Sequence, residues 1–295
     1  MKLKSLLASL LICGVSASFA TESCLGGNTK VSSSQVEKIL APVIGNAKVV
    51  NVSDSPISGV YEVIVDFGGK KVPVYVDCNL KYLISGEIID LNKKVSLTRE
   101  KVQALQSQAN SEKEAKLAKL IGKDKAEMLK KEGLIEYINF VNVSNLPQSN
   151  ITYGSGKTKV YVVTDPQCPF CAKLHKEIEK VISERKDVVF EMLLYPLPFH
   201  KEAQGISENI ACQKENNQKQ QLLNKSFDAI TKGDQNLLKS LEKSCETAKS
   251  IISNNINFAK SAGINGTPTM IFPKGVMVSG AIPAETLNKL IDTLR

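Results

Sequence analysis

Apolar residues follow three different spacings along the chain. Between residues 47 and 91 they alternate with polar ones in short runs. The clearest run is Val60–Asp66, where Tyr61, Val63 and Val65 oppose Glu62, Ile64 and Asp66. A period of two predicts half-buried strands, here over 47–52, 60–66, 71–77, 81–84 and 87–91. Pro73 cannot donate to a ladder, which places the third run at an edge or a bulge. Ahead of these strands, Val36, Ile39, Leu40, Val43 and Ile44 share one face of a helix. Ser34 with Glu37 three residues later has the spacing of a capping box at its start.

The second spacing runs from Thr98 to Glu132, where Ala, Lys, Glu, Gln and Leu dominate. Thr98 is placed to cap a helix there and Gly133 to stop it. The apolar stripe Val102, Leu105, Ala109 is broken by Glu112 and Lys113, so a solvated linker helix is predicted rather than a coiled coil. The third spacing is continuous. Lys159–Val163 and Val188–Leu194 read as buried strands, and Leu174, Ile178, Val181 and Ile182 between them mark one face of a helix. A helical stretch follows from Lys201 to Lys260, then strands at Asn265–Phe272 and Val276–Ser279 and a helix over Ala284–Leu294. The order β-α-β, helical block, β-β-α is the layout of a thioredoxin fold with a helical insertion.

Charge and cysteine content narrow the context. The chain opens Met1-Lys2-Leu3-Lys4, continues apolar from Leu6 to Cys13, and reaches Ser18-Phe19-Ala20. These are the basic, apolar and small-residue parts of a secretory signal peptide over residues 1–20. Its removal takes two lysines and no acid from a formal net charge of +8, and the remaining charge is dispersed. That balance does not point to a nucleic-acid site. Cys13 leaves with the leader, so Cys24, Cys78, Cys168, Cys171, Cys212 and Cys245 remain. An even set of cysteines in an exported chain suggests disulfides.

Cys168-Pro169-Phe170-Cys171 falls where the strand ending at Thr164 gives way to a helix. The first turn of a helix has unpaired N–H groups and partial positive charge, which favours a thiolate there, and thiolate is the reactive form. Cys168 would sit at that terminus and Cys171 one turn inside, a geometry suited to thiol–disulfide exchange. A zinc site would need a second close pair of ligands, yet His175 and His200 are the only histidines. A c-type haem would need His where Ala172 stands, and an iron–sulfur cluster would need further clustered cysteines. An inert disulfide or two buried thiols is the bland alternative. His175 reads as a helix-face residue, with a tuning role for the thiolate as the alternative. Gly154-Ser155-Gly156-Lys157-Thr158 resembles a phosphate loop, but Ile151 stands where the pattern needs glycine and a strand follows, so a polar turn fits better. No metal or cofactor is expected.

Taken together, Cys168-Pro169-Phe170-Cys171, Ala211-Cys212 and Gly266-Thr267-Pro268 resemble the bacterial periplasmic disulfide isomerases of the DsbC/DsbG family. The resemblance implies an α+β protein of two domains. A cystatin-like N-terminal dimerisation domain would cover 21–97, a helical linker 98–150, and a thioredoxin-like catalytic domain 151–295. It implies a redox pair at Cys168 and Cys171, the first attacking and the second resolving. Thr267 and Pro268, joined by a cis bond, would shape a substrate-binding edge. Cys212 and Cys245 resemble the family's structural bridge. Cys24 and Cys78 have no family role; Cys24 lies on a Gly-rich start that could reach Cys78, giving a possible disulfide within one domain. The implied partners are exported substrate proteins with disulfides, a membrane thiol reductase as electron donor, and a second copy of the chain, in the periplasm. Three functions compete: a disulfide isomerase or reductase for misoxidised proteins, a dithiol oxidase on the same scaffold, and a chaperone-type holdase.

Overall fold

The computed structural model describes residues 31–295, so the leader and Cys24 lie outside the described residues. The chain divides into two compact units, through Leu105 and from Gln106 onward.

In the first unit, α1 (Ser33–Ile44) is followed by β1 (Lys48–Asp54), β2 (Val60–Asp66), β3 (Lys71–Asp77) and β4 (Leu83–Ile84). The strands form one sheet in the order β1-β2-β3-β4, antiparallel throughout. Val36, Leu40 and Ile44 of α1 cover Val49, Val63, Val65, Val74 and Val76, which is what the two periodicities require of a helix on a sheet face. The α1 cap lies two residues earlier than the spacing suggested. Ser32 is the N-cap and Gln35 the reciprocal partner, because both serines fit the same four-residue pattern. Glu37 instead accepts from Val49 N–H at 3.0 Å, tying the helix to β1. Beyond β2, β3 meets only the two-residue β4 at Tyr75 and Val76, so Pro73 falls on the open part of that edge. A short hairpin, β5 (Ile89–Asp90) with β6 (Val95–Ser96), follows.

The helix α2 (Leu97–Ile121) begins one residue before Thr98. Ser96 Oγ, rather than Thr98, accepts from Arg99 N–H at 3.1 Å. Thr98 is buried, with its hydroxyl 2.5 Å from Tyr75 Oη and accepting from Ile88 N–H at 2.9 Å. Gly122 adopts φ 93° between α2 and α3 (Lys123–Lys131), a left-handed conformation that glycine takes without a Cβ clash.

The expected linker over 98–150 needs correcting. Leu117, Ala126 and Leu129 belong to the core of the second unit, and β7 (Ile138–Phe140) is a strand of its sheet. The breaks in the apolar stripe hid this, because α3 and the end of α2 bury isolated residues rather than a continuous face.

The second unit continues with β8 (Ile151–Gly154), β9 (Thr158–Thr164), α4 (Pro169–Glu184) and β10 (Val188–Leu194). The inserted helices are α5 (Ala203–Cys212), α6 (Asn216–Lys232), α7 (Gln235–Ser240) and α8 (Glu246–Ser261). Last come β11 (Thr269–Ile271), β12 (Val276–Ser279) and α9 (Ala284–Leu294). The sheet order is β7-β12-β11-β9-β10-β8, with β9 and β10 parallel across the α4 crossover and the other pairs antiparallel.

Alternation along the strands builds two cores. Val160, Val162, Phe190, Met192 and Met270 join Leu174, Ile178 and Leu290 on one side. Val163, Leu193, Ile271 and Met277 meet Phe258 and Ala259 on the other. The Gly154–Gly156 turn is explained by contact. A Cβ on Gly156 would lie 1.9 Å from the Asp187 carbonyl carbon, so only glycine lets β8 and β9 turn against the start of β10. Cys212, ending α5, is bonded to Cys245, the N-cap of α8, with Cα atoms 6.0 Å apart.

Candidate functional site

Cys168 is the N-cap of α4, in extended conformation at φ −87° and ψ 121°, and Pro169 occupies the first helical position. Proline suits that position because its missing N–H would have no helical partner and its φ is already helical. Cys171 lies one turn into the helix. Both thiols are free, 4 % and 2 % exposed respectively. Cys168 Sγ lies 3.5 Å from the carbonyl oxygen of Thr267, and the Thr267–Pro268 peptide is cis. The β11 strand that follows pairs with β9, Thr269 opposite Val163, so the sheet itself carries the proline segment to the cysteines.

The two thiols differ in acidity. The Cys171 thiol, hydrogen-bonded to the Cys168 sulfur, has the largest influence on Cys168. Thr267 and the N–H groups of Cys171 and Phe170 assist, burial opposes, and the Cys168 pKa falls to about 6. Burial pushes Cys171 well above the usual thiol range, and the adjacent Cys168 adds to the effect. An acidic thiol at the helix terminus thus stands beside a buried one held as thiol, and thiolate is the reactive form.

Behind the thiols lies a polar cluster that motif reading left out. Asp165 is fully buried; its carboxylate accepts from Gln167 N–H at 2.7 Å and Leu197 N–H at 2.8 Å, and meets His200 Nδ1 at 2.8 Å. Burial raises the Asp165 pKa against the pull of the Leu197 N–H, His200 and the Gln167 N–H. The Gln167 side chain donates to the Glu202 carboxylate and accepts from Glu202 N–H at 2.9 Å. One signal was available: Asp165 is the sole acid in the turn before the cysteines, and His200 is one of two histidines. Their contact spans 35 residues, a pairing that periodicity cannot specify.

His175 faces elsewhere. It packs between the Tyr153 and Phe227 rings, with centroids 4.8 and 5.1 Å away, and its Nε2 lies 2.9 Å from Asn224 Oδ1. Burial lowers its pKa, and its contacts are with α6 and β8, as expected of a helix-face residue. Phe170 and Phe199, 64 % and 72 % exposed, stand beside the thiols and beside His200 in the chain. Cys78 is disulfide-bonded.

Comparison with known proteins agrees with this geometry. Residues 149–295 match the thioredoxin-like domain family, and residues 27–99 match the disulfide bond isomerase protein N-terminal domain. The thiol:disulfide interchange protein DsbC of Dickeya dadantii is 23% identical over 242 residues, covering 82% of this chain and 79% of that protein. Among solved structures, the disulfide interchange protein from Neisseria gonorrhoeae is 28% identical, covering 49% of this chain and 94% of that one, with a TM-score of 0.38. Proteus mirabilis ScsC in a compact conformation is 16% identical, covering 65% and 96%, with a TM-score of 0.44. An isomerase-type N-terminal domain followed by a thioredoxin-like domain, together with the likeness to DsbC along most of the chain, makes this protein a thiol:disulfide oxidoreductase similar to DsbC.

Proposed function

We propose that the chain is a periplasmic disulfide isomerase and reductase for misoxidised exported proteins, working as a homodimer. The observation that carries this reading is the joining, in one chain, of an acidic N-cap thiol beside a cis-proline segment to an isomerase-type N-terminal domain. The Cys168 thiolate attacks one sulfur of a client disulfide, forms a mixed disulfide and releases the other sulfur as a thiolate. In isomerisation that client thiolate attacks another client disulfide, and the thiolate this releases attacks the mixed disulfide, returning Cys168 as thiolate with no net change in electrons. When a client stalls, Cys171 loses its proton and attacks Cys168 Sγ. The client leaves reduced and a Cys168–Cys171 disulfide remains, which a membrane thiol reductase returns to dithiol with two electrons.

Thr267 and Pro268 present the backbone edge against which an extended client segment pairs. The Cys212–Cys245 bridge stays outside the exchange. Cys24 is the proposed partner of Cys78, as a staple within one N-terminal unit. A leader ending at Ala20 directs export; among the described residues no helix is long and apolar enough to cross a membrane.

A second reading has an observation of its own. An acidic attacking thiol stabilises the reduced form, which is the property of a dithiol oxidase. Thiol trapping in cells separates the two. The isomerase reading expects Cys168 and Cys171 reduced at rest, and Cys171→Ala to accumulate mixed disulfides with exported clients. A pair resting oxidised that only oxidises reduced clients would transfer the assignment to the oxidase.

A further inference from the structure

Asp165 is the first residue after β9, and all its polar atoms are committed around the redox pair. Its N–H donates to Cys171 Sγ at 3.4 Å, and its carbonyl oxygen accepts from Cys168 N–H at 3.1 Å. One carboxylate oxygen accepts from Gln167 N–H and the other from Leu197 N–H, and the latter also meets His200 Nδ1. One residue therefore fixes the backbone of the attacking thiol, contacts the sulfur of the resolving thiol, and holds the segment after β10. A buried carboxylate persists only when compensated. Here the compensation includes an imidazole whose side chain keeps 18% exposure.

The tautomer that donates from Nδ1 to a carboxylate is the same whether or not Nε2 carries a proton. A proton on Nε2 therefore leaves the contact in place and changes the charge of the pair. The pair is neutral with imidazolium and carries one net negative charge with imidazole. A thiolate nearby is a like charge, and like charges disfavour each other's ionised forms.

The other ionisable groups facing Asp165 are few. From α4 they are Cys168 and Cys171. From the segment after β10, Glu202 bonds the neutral Gln167 side chain, and Lys201 is exposed. The stretch Gly266-Thr267-Pro268 brings no ionisable side chain. Among the described residues, the His200 imidazole is the basic side chain in contact with the Asp165 carboxylate, at 2.8 Å.

We propose that Asp165 and His200 form a counter-charge pair that sets the thiolate population of Cys168, with Asp165 as a positioning residue for both thiols and His200 as the group that cancels its charge. The proposal rests on Cys168 being the attacking thiol. With His200 protonated the thiolate faces a neutral pair, and the reduced dithiol is stabilised relative to the disulfide. With His200 neutral the thiolate faces an anion, and the protein becomes the stronger reductant.

The test is the pH dependence of Cys168 alkylation and of thiolate absorbance in the full-length reduced protein, alongside melting curves. Asp165→Asn should lower the Cys168 pKa, and His200→Gln should raise it. Each shift should be about half a unit or more, roughly threefold in thiolate fraction below the midpoint. His200→Lys, which keeps the charge, should restore an acidic Cys168. If Asp165→Asn does not fold, the two His200 variants decide alone. Packing alone would shift both positions the same way, and that result overturns the pair, as does a profile indifferent to both His200 variants. Absence of any acidic thiol in the unsubstituted protein is a separate outcome. It would overturn Cys168 as the attacking thiol before a variant is made.

Discussion

The two units finish their surfaces differently. The first wraps one helix around a small sheet and leaves Ile39, Val43, Tyr82, Ile89 and Leu91, among others, exposed. The second buries apolar layers on both faces of its sheet, and two of its exposed large apolar residues, Phe170 and Phe199, are chain neighbours of Cys171 and His200. Apolar surface on a small unit marks a contact still to be made, whereas a two-sided core is complete by itself. The difference teaches that chemistry and grip are separable. On the proposed function, the thioredoxin-like unit carries the exchange of one disulfide and the N-terminal unit the hold on a whole client.

The largest expected effect comes from cutting the units apart. A fragment of residues 106–295 should be monomeric and reduce a simple disulfide at nearly the full-chain rate, yet lose most rearrangement of a scrambled client. The checks are sedimentation and recovery of client activity. A fragment that rearranges as well as the whole chain would erase the contrast. The cut must fall near Gln106 rather than Asn150, because the later start removes β7 and the buried Leu117 and Leu129. On the other side of the cut, the staple proposed within one unit predicts no covalent dimer on a non-reducing gel, and a covalent dimer that disappears on Cys24→Ser would overturn it.

A smaller effect separates scaffold from chemistry within the second unit. Replacing Cys212 and Cys245 by serine frees a closure of 33 residues. Loop entropy puts the cost at roughly 3–4 kcal/mol, read as a lower melting temperature with exchange on simple disulfides retained. Loss of exchange at a temperature where the variant remains folded would contradict that division.

The smallest effect belongs to the thiol itself. Cys168 has its pKa depressed to about 6, against about 8.5 for a cysteine in an unfolded chain. Its contribution to the stability of the reduced protein is therefore fully present above the unfolded value and lost as pH falls through about 6. The raised pKa of Cys171 acts with the opposite sign, and only as pH rises above the unfolded value. Melting curves of the reduced protein should thus rise relative to the oxidised protein between about pH 6 and about pH 8. Parallel curves would show that the Cys168 thiolate is not stabilised by the fold.

Local order was what the chain disclosed most directly. The strand before Cys168, the helix after it and the cis-proline segment each rest on a few adjacent residues, and their motif carried the site. The α1 start slipped by two residues because two serines fit one capping pattern. The Leu117–Leu129 stretch looked solvated because its buried residues are too far apart to make a stripe, and β7 is only three residues long. Asp165 with His200 stayed hidden for a related reason. Each is unremarkable in its own segment, and only the return of the chain after β10 brings them together.

The bridge between α5 and α8 has a consequence for biogenesis. The structure joins Cys212 to Cys245 and leaves the sulfurs of Cys168 and Cys171 unbonded to each other. Ribosomal order presents Cys168 and Cys171 before Cys212 and Cys245, at a stage when the fold that acidifies Cys168 has yet to form. Correct pairing must then be sorted after synthesis, and the same chemistry that mispairs a nascent copy can repair it.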